Sequence, residues 1–408
     1  MWFLFGLFLF IFGNWFLGLT SLDEGRNASA VLNMLSSKDL LVPYYNCQVR
    51  FEKPPMLYYF GLVFAKPFGL NEFSLRLVSG LSAFGVGIFT YLTAKLFFDR
   101  ETALKSFLVL ATLPHMWVES RAFVPEMLLN FFMLGGLYFF LLTNRTTLGW
   151  LFLAFAFLTK GPVGVFLPLG AYVILRRDLA FLQLKGILLF LLVGGSWYYL
   201  MLYNFGWAYF QKFFIYENIM RYTGQAITHP YPFYYYLIVL AVAYIFYLPS
   251  IPKLFKRESK ILPFLLWAVS VVAFFSLAKN KLHHYIIFSY PALSIAFAYH
   301  LSMDYIKRVL VIATVFLLGL SVGVYFYEEN RFQTKALPFL KDFNGPVYFY
   351  RGAEISSIPF YLKRCVPKTD HVPNHRAMLI SKEDIKECRE ILRAREFDGN
   401  YRLYMCEP

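Results

Sequence analysis

The sequence predicts a polytopic α-helical membrane protein that ends in a small water-soluble α/β unit. Of its 408 residues, 58% are apolar, 21% aromatic and only 16% charged, too little polar surface for a soluble chain of this size. Apolar runs recur from Trp2 to Tyr327, and beyond that point the composition changes abruptly. The 47 Phe and 30 Tyr exclude a disordered or collagen-like chain.

Crossing ~30 Å of hydrocarbon takes roughly 20 apolar residues, and about eleven candidate spans follow on that basis. They run over residues 2–19, 74–98, 103–118, 127–142, 148–158, 163–175, 184–204, 233–251, 261–278, 284–301 and 308–327. The first has no basic flank ahead of it and reads as an uncleaved span. Between it and the second, Leu19 to Asp39 carries Ser21 and Glu24 in a capping-box spacing, then Ala28, Val31, Leu32 and Leu35 at helical intervals. This predicts an amphipathic helix lying on the membrane, with Asp23 and Arg26 one turn apart as an ion pair. Residues 56–68 are too short to span and read as interfacial or re-entrant. The connection 205–232 reads as a mobile covering loop.

A cytoplasmic N-terminus puts Arg100, Arg145, Arg176, Arg177, Lys185, the run from Lys253 through Arg257 to Lys260, Lys307 and Arg308 on the cytoplasmic side, as the positive-inside rule requires. Every mixed cluster of acid and base then falls on the opposite face. These clusters are Asp23 to Arg26, Glu52 with Lys53 ahead of two prolines, Glu119 to Glu126, Lys160, Glu217 to Arg221, and Lys279 to Lys281. A charge at membrane depth costs a few kcal/mol unless it is paired or hydrated, so these positions are candidates for chemistry. The formal charge of +14 is spread among apolar runs, which points to anionic membrane lipid and away from nucleic acid.

After Tyr327, residues 328–408 hold fourteen Lys/Arg and twelve Asp/Glu with no apolar span. Strand-like runs at 347–350, 377–380 and 401–404 alternate with a helical stretch at 384–395, giving a second domain, 328–408, after a membrane domain, 1–327. Cys47, Cys365, Cys388 and Cys406 lie outside the spans and lack metal-ligand spacing, and their pairing has three solutions.

A sugar leaving a lipid phosphate deposits negative charge at the membrane surface, where cations must meet it. Arg26, Lys53, Arg121, Lys160, Arg221, Lys279 and Lys281 are the candidates. Asp23, with Glu52 and Glu126, supplies carboxylates to accept or steer the acceptor's proton. Glu52, His229, His283 and His284 are candidate ligands for a divalent cation, although the adjacent histidines lack the i, i+4 spacing of a two-His helix site.

Five segments in order, Leu22 to Arg26, Phe51 to Tyr59, Phe68 to Leu77, Arg121 to Leu128 and Phe157 to Gly164, resemble the aminoarabinose transferases of lipid A, ArnT-like enzymes within the protein O-mannosyltransferase-like GT-C superfamily. The likeness covers residues 15–295. It implies a GT-C fold and an inverting transferase that uses an undecaprenyl-phosphate-linked sugar at the periplasmic face of the bacterial inner membrane. It makes Asp23 the counterpart of the family's first-loop aspartate, Lys53, Arg26, Lys160 and Arg221 lipid-phosphate contacts, and Glu52 a metal or substrate contact. Glu126 follows Val124 and Pro125 where the family has Asp after Thr-Pro, and His283 and His284 follow Lys281 and Leu282 where it has Lys-Leu-Pro. These departures leave the sugar open among aminoarabinose, a uronic acid and others, and the acceptor open between lipid A, another envelope glycan and protein. A transporter of lipid-linked sugars is the reading from another class, and it predicts repeated halves with charges inside the spans.

Overall fold

The computed structural model describes every residue except 21, 226–228, 257 and 408. The Ser21 half of the expected capping box and Arg257 of the cytoplasmic run therefore lie outside the described residues. Among the described residues three helices are long and apolar enough to cross a membrane, Glu72–Phe97, Leu184–Thr223 and Met303–Asn330, and a fourth span results if Tyr235–Ala243 and Ile245–Leu254, bent by 92°, count together. Shorter apolar helices, Trp2–Ile11, Pro125–Leu141, Thr146–Lys160, Val163–Arg176 and Leu262–Leu277, stand beside them.

Several expected spans are broken for visible reasons. The first helix ends at Ile11, and the chain turns through Gly13 at φ +82°, a conformation glycine adopts without a Cβ penalty. The run 103–118 divides into Arg100–Ala111 and Pro114–Glu119, because Pro114 cannot donate an N–H to a continuing helix. The run 284–301 opens as a 3-10 turn, His283–Ser289, before the helix Tyr290–His300. Residues Met56–Phe68 form a helix. The expected covering loop is mostly ordered: the long helix continues through a break at Gly206 into a π-helical segment, Gln211–Met220, and ends at Thr223.

The helix Leu22–Ser37 packs one face into the protein, with Gly25, Asn27, Ala28, Ala30, Val31 and Met34 buried. A Cβ on Gly25 would come within 2.4 Å of the Ser357 backbone nitrogen, so only glycine permits this approach. After the helix, strands β1 (Tyr44–Tyr45) and β2 (Gln48–Val49) make a small hairpin. The C-terminal unit packs the helix Phe332–Asp342 on a sheet of β3 (Val347–Tyr350), β4 (Lys368–Thr369), β5 (Ala377–Ser381), β6 (Arg389–Glu396) and β7 (Gly399–Cys406), in the order β4-β3-β5-β7-β6. The expected helix at 384–395 is therefore wrong. Its residues form β6, paired antiparallel with β7 across a two-residue turn at Phe397 and Asp398, a short connection that favours a hairpin.

This unit sits on the end of the bundle that carries the mixed clusters. Cys47 is bonded to Cys365, and Cys388 to Cys406. Buried Arg331 donates to the carbonyls of Gly18 and Leu19 and pairs with Glu328 and Glu396. Tyr361 accepts from the Leu19 N–H and donates to Glu72.

The deepest polar contact joins Glu24 and Arg76, both fully buried. Arg76 Nε and Nη2 donate to the two carboxylate oxygens at 2.7 and 2.8 Å, and its remaining donors reach the carbonyls of Asn14, Leu17 and Gly18. Glu24 also accepts from the backbone N–H groups of Thr20 (2.6 Å) and Phe123 (2.8 Å). Removing one partner of such a pair costs about 3–5 kcal/mol, since a buried charge is left uncompensated. Arg76→Ala should accordingly lower the thermal midpoint of the detergent-purified protein by several degrees, and an unchanged midpoint would show that the pair does not hold the fold.

Candidate active site

Asp23 follows from the placement of Glu24. With Glu24 locked to Arg76, the preceding residue leaves the first turn of Leu22–Ser37 on the opposite side, half exposed. Its carboxylate lies 3.7 Å from Lys53 Nζ and 3.6 Å from Arg50 Nη2. Lys53 first, then Arg50 and Arg26, hold the carboxyl well below the usual carboxylate range, against the opposing effect of burial. The expected one-turn ion pair does not form. Arg26 turns to Glu354 of the C-terminal unit at 2.9 Å and lies over the Tyr45 ring.

Lys53 also lines a cavity of about 890 Å³ together with Glu52, Glu126, Lys160, Arg221 and His284. The elements that deliver them are separated in sequence. The rigid Pro54-Pro55 exit sets Glu52 and Lys53 ahead of the helix Met56–Phe68. Glu126 occupies the first turn of Pro125–Leu141, and Lys160 the last turn of Thr146–Lys160, each complementing its helix dipole. Glu126 Oε1 meets Lys160 Nζ at 2.5 Å and His284 Nε2 at 3.2 Å. Lys160 Nζ lies 4.9 Å from the centre of the Tyr285 ring. Arg221 pairs with Glu217 at 2.9 Å, and Lys212 bridges Glu217 and Glu52 at 3.5 and 4.0 Å. Most of the remaining lining is apolar and includes Phe166, Leu167, Phe213, Phe214 and Phe274, with Asn130, Asn218, Thr223, Ser270 and Asn280 among it. The cavity thus joins a charged end to an aromatic wall, as an amphiphile with an anionic head requires.

Other nominated residues lie elsewhere. Arg121 is not in the cavity lining: its guanidinium caps the first helix through the carbonyls of Leu9 and Phe12 at 2.8 and 2.6 Å and stacks on Trp117. The aliphatic part of Lys279 lies against Gly224, and buried Lys281 donates to the Ala278 carbonyl. Between them, Asn280 bonds the Arg221 carbonyl and the His229 N–H, which fastens the start of the loop to its end; the intervening 226–228 lie outside the described residues. Of the nominated cation set, His229 is held through its backbone N–H by Asn280, and Glu52 faces Lys212 at 4.0 Å. His283 and His284 instead face Glu119 at 3.2 and 4.0 Å. His115, Arg50 and Lys212 join the site region without having been nominated, and Glu119 joins it from a mixed cluster in which it was given no role. The available signals were Pro114, which ends the apolar run ahead of His115, and the position of Arg50 directly before Phe51.

Residues 52–195 match the family described as dolichyl-phosphate-mannose-protein mannosyltransferase. An uncharacterized protein of Aquifex aeolicus is 49% identical over 98% of this chain and 96% of its own length. The undecaprenyl phosphate-alpha-4-amino-4-deoxy-L-arabinose arabinosyl transferase of Shewanella sediminis is 30% identical over 66% of this chain. The chain spans about half the length of that transferase, 53%. In structure the chain is similar to ArnT from Cupriavidus metallidurans bound to undecaprenyl phosphate, with a TM-score of 0.85 and 19% identity, covering 100% of this chain and 98% of that one.

The placements separate two kinds of arginine. Arg221→Ala should weaken binding of a lipid phosphate about tenfold or more, the worth of a charge-assisted hydrogen bond, whereas Arg121→Ala should lower the thermal midpoint with lipid-phosphate affinity unchanged. Binding measured by quenching of intrinsic fluorescence checks both, and a reversed pattern would refute the assignment.

Proposed function

We propose that this chain is an ArnT-like glycosyltransferase of the GT-C fold, a multi-pass membrane protein that moves one sugar from undecaprenyl phosphate to lipid A at the periplasmic face of the bacterial inner membrane. The observation that carries the reading is the cavity itself, where Lys53, Lys160 and Arg221, with carboxylates beside them, share the lining with a largely apolar wall rich in Phe. The prenyl chain lies along the aromatic wall and the phosphate meets the three cations. Each cation is already matched by a carboxylate, Asp23, Glu126 or Glu217. The incoming phosphate therefore shares or displaces these partners, and the site avoids holding unpaired buried charge.

In the reaction the acceptor oxygen attacks the anomeric carbon from the face opposite the phosphate. The bond from that carbon to the phosphate oxygen breaks with its electron pair, the sugar inverts, and undecaprenyl phosphate leaves with the added negative charge. Lys53, Lys160 and Arg221 stabilise that charge as it develops, the largest contribution such a site makes. Asp23, kept ionised by Lys53 and Arg50, takes or steers the acceptor's proton. Glu126 orients Lys160, and Glu52 orders Lys212 and the mouth.

The sugar is aminoarabinose in this reading, with a uronic acid as the alternative that keeps the same phosphate and base residues. Lipid A from cells with and without the protein, compared by mass spectrometry, distinguishes them: a phosphate-linked aminopentose is expected, a hexuronic acid increment changes the donor, and no change removes lipid A as the acceptor. Asp23→Asn should lower kcat by about 10²–10⁴-fold in a protein that still folds, and normal turnover would sink the assignment. The depressed pKa of Asp23 also has a sign. Its active carboxylate persists as pH falls below the ordinary value of about 3.9, so wild-type activity carries no acid limb from Asp23 above that pH. In Lys53→Ala the largest depressing influence is gone, and the acid limb of kcat/KM should move to higher pH. A profile identical to wild type would contradict this coupling.

A further inference from the structure

We propose that His115, Glu119 and His283 form a zinc-type divalent metal site beside the cavity, one that fastens the short helix Pro114–Glu119 to the segment carrying His284. His115 and Glu119 project from one face of the short helix Pro114–Glu119, and His283 opens the 3-10 turn His283–Ser289. His115 Nε2 and His283 Nδ1 are 2.9 Å apart, and Glu119 Oε1 lies 3.5 Å from the first and 3.2 Å from the second. Three ligands of a tetrahedral zinc ion, each about 2.0–2.1 Å from the metal, stand ~3.4 Å from one another. The three measured spacings bracket that value.

The charges agree with the geometry. Glu119 is buried, and among the described residues its ion-pair partners are His115, His283 and His284, with no Lys or Arg. One proton between the two imidazoles satisfies a single contact, whereas a cation at the centre of the triangle satisfies all three. The outer face of His115 has the support that metal-bound imidazoles usually have: its Nδ1 lies 2.6 Å from the Tyr290 hydroxyl, which fixes the ring with Nε2 toward the cluster. Half of the His283 side chain is exposed, so water can complete the coordination.

The site's consequence passes through the next residue. His284 reaches Glu126 Oε1 at 3.2 Å, and Glu126 holds Lys160 at the charged end of the cavity. A metal on His283 fixes the backbone from which His284 projects, so these three ligands are positioning residues. This site shares only His283 with the nominated set of Glu52, His229, His283 and His284.

Metal content of the full chain, purified in detergent, equilibrated with zinc and freed of loosely bound ion, provides the test. About one equivalent of zinc is expected in the wild type, lost in His115→Ala and in Glu119→Gln with both variants monodisperse. Cobalt substitution gives a second readout independent of transfer activity. Wild type should show tetrahedral d–d absorption, and His283→Cys should add a sulfur-to-cobalt charge-transfer band. No zinc above background in the wild type, full retention in the two variants, or a cobalt spectrum untouched by His283→Cys would each overturn the proposal.

Discussion

The buried Glu24–Arg76 pair is the constraint from which the site follows. A bidentate ion pair out of water is stable only when its remaining donors and acceptors are satisfied. Here they are met by the carbonyls that end the first helix and by the N–H groups of Thr20 and Phe123. One carboxylate therefore fixes the exit of the first helix, the long helix Glu72–Phe97, the connection at Phe123 and the start of Leu22–Ser37. Asp23, the neighbouring residue, inherits its position from all four. A reactive carboxylate on the first turn of a helix is thus held by contacts made one residue away and out of reach of solvent.

The C-terminal unit extends the same logic to Arg26. Glu354 takes this arginine together with Tyr45 and Lys368, and the Cys47–Cys365 bond anchors the hairpin that carries Tyr45. The ends of three connections meet there, and the cations facing the cavity stay balanced by Asp23, Glu126 and Glu217. Charge balance in a low-dielectric site keeps the cavity open and folded without an anion, and it also sets what an anionic head must exchange with on arrival.

Much of this was legible in the residues. Charges placed between apolar runs must be paired, and that rule selected Asp23, Lys53, Glu126, Lys160, Arg221 and His284. It could not tell a cation that faces the cavity from one that caps a helix, which is why Arg121 was grouped with the lipid-phosphate residues. Periodicity also failed where a proline divides an apolar run, so His115 passed as part of a span. The β6 strand was read as a helix because its charges recur at helical intervals, although Asp398 and Gly399 at the hairpin turn point the other way. Arg50 carried no signal beyond its position directly before Phe51. Its burial beside Asp23 is a property of the folded first connection.

The central claim is that the phosphate of a polyprenyl donor is held between Lys53, Lys160 and Arg221 with its chain along the aromatic wall. A cryo-EM structure of the purified protein with undecaprenyl phosphate tests it most directly. The account predicts phosphate density within hydrogen-bond distance of at least two of these three side chains and prenyl density beside Phe213 and Phe274. A phosphate bound elsewhere, with the three cations still engaged by Asp23, Glu126 and Glu217, would contradict it.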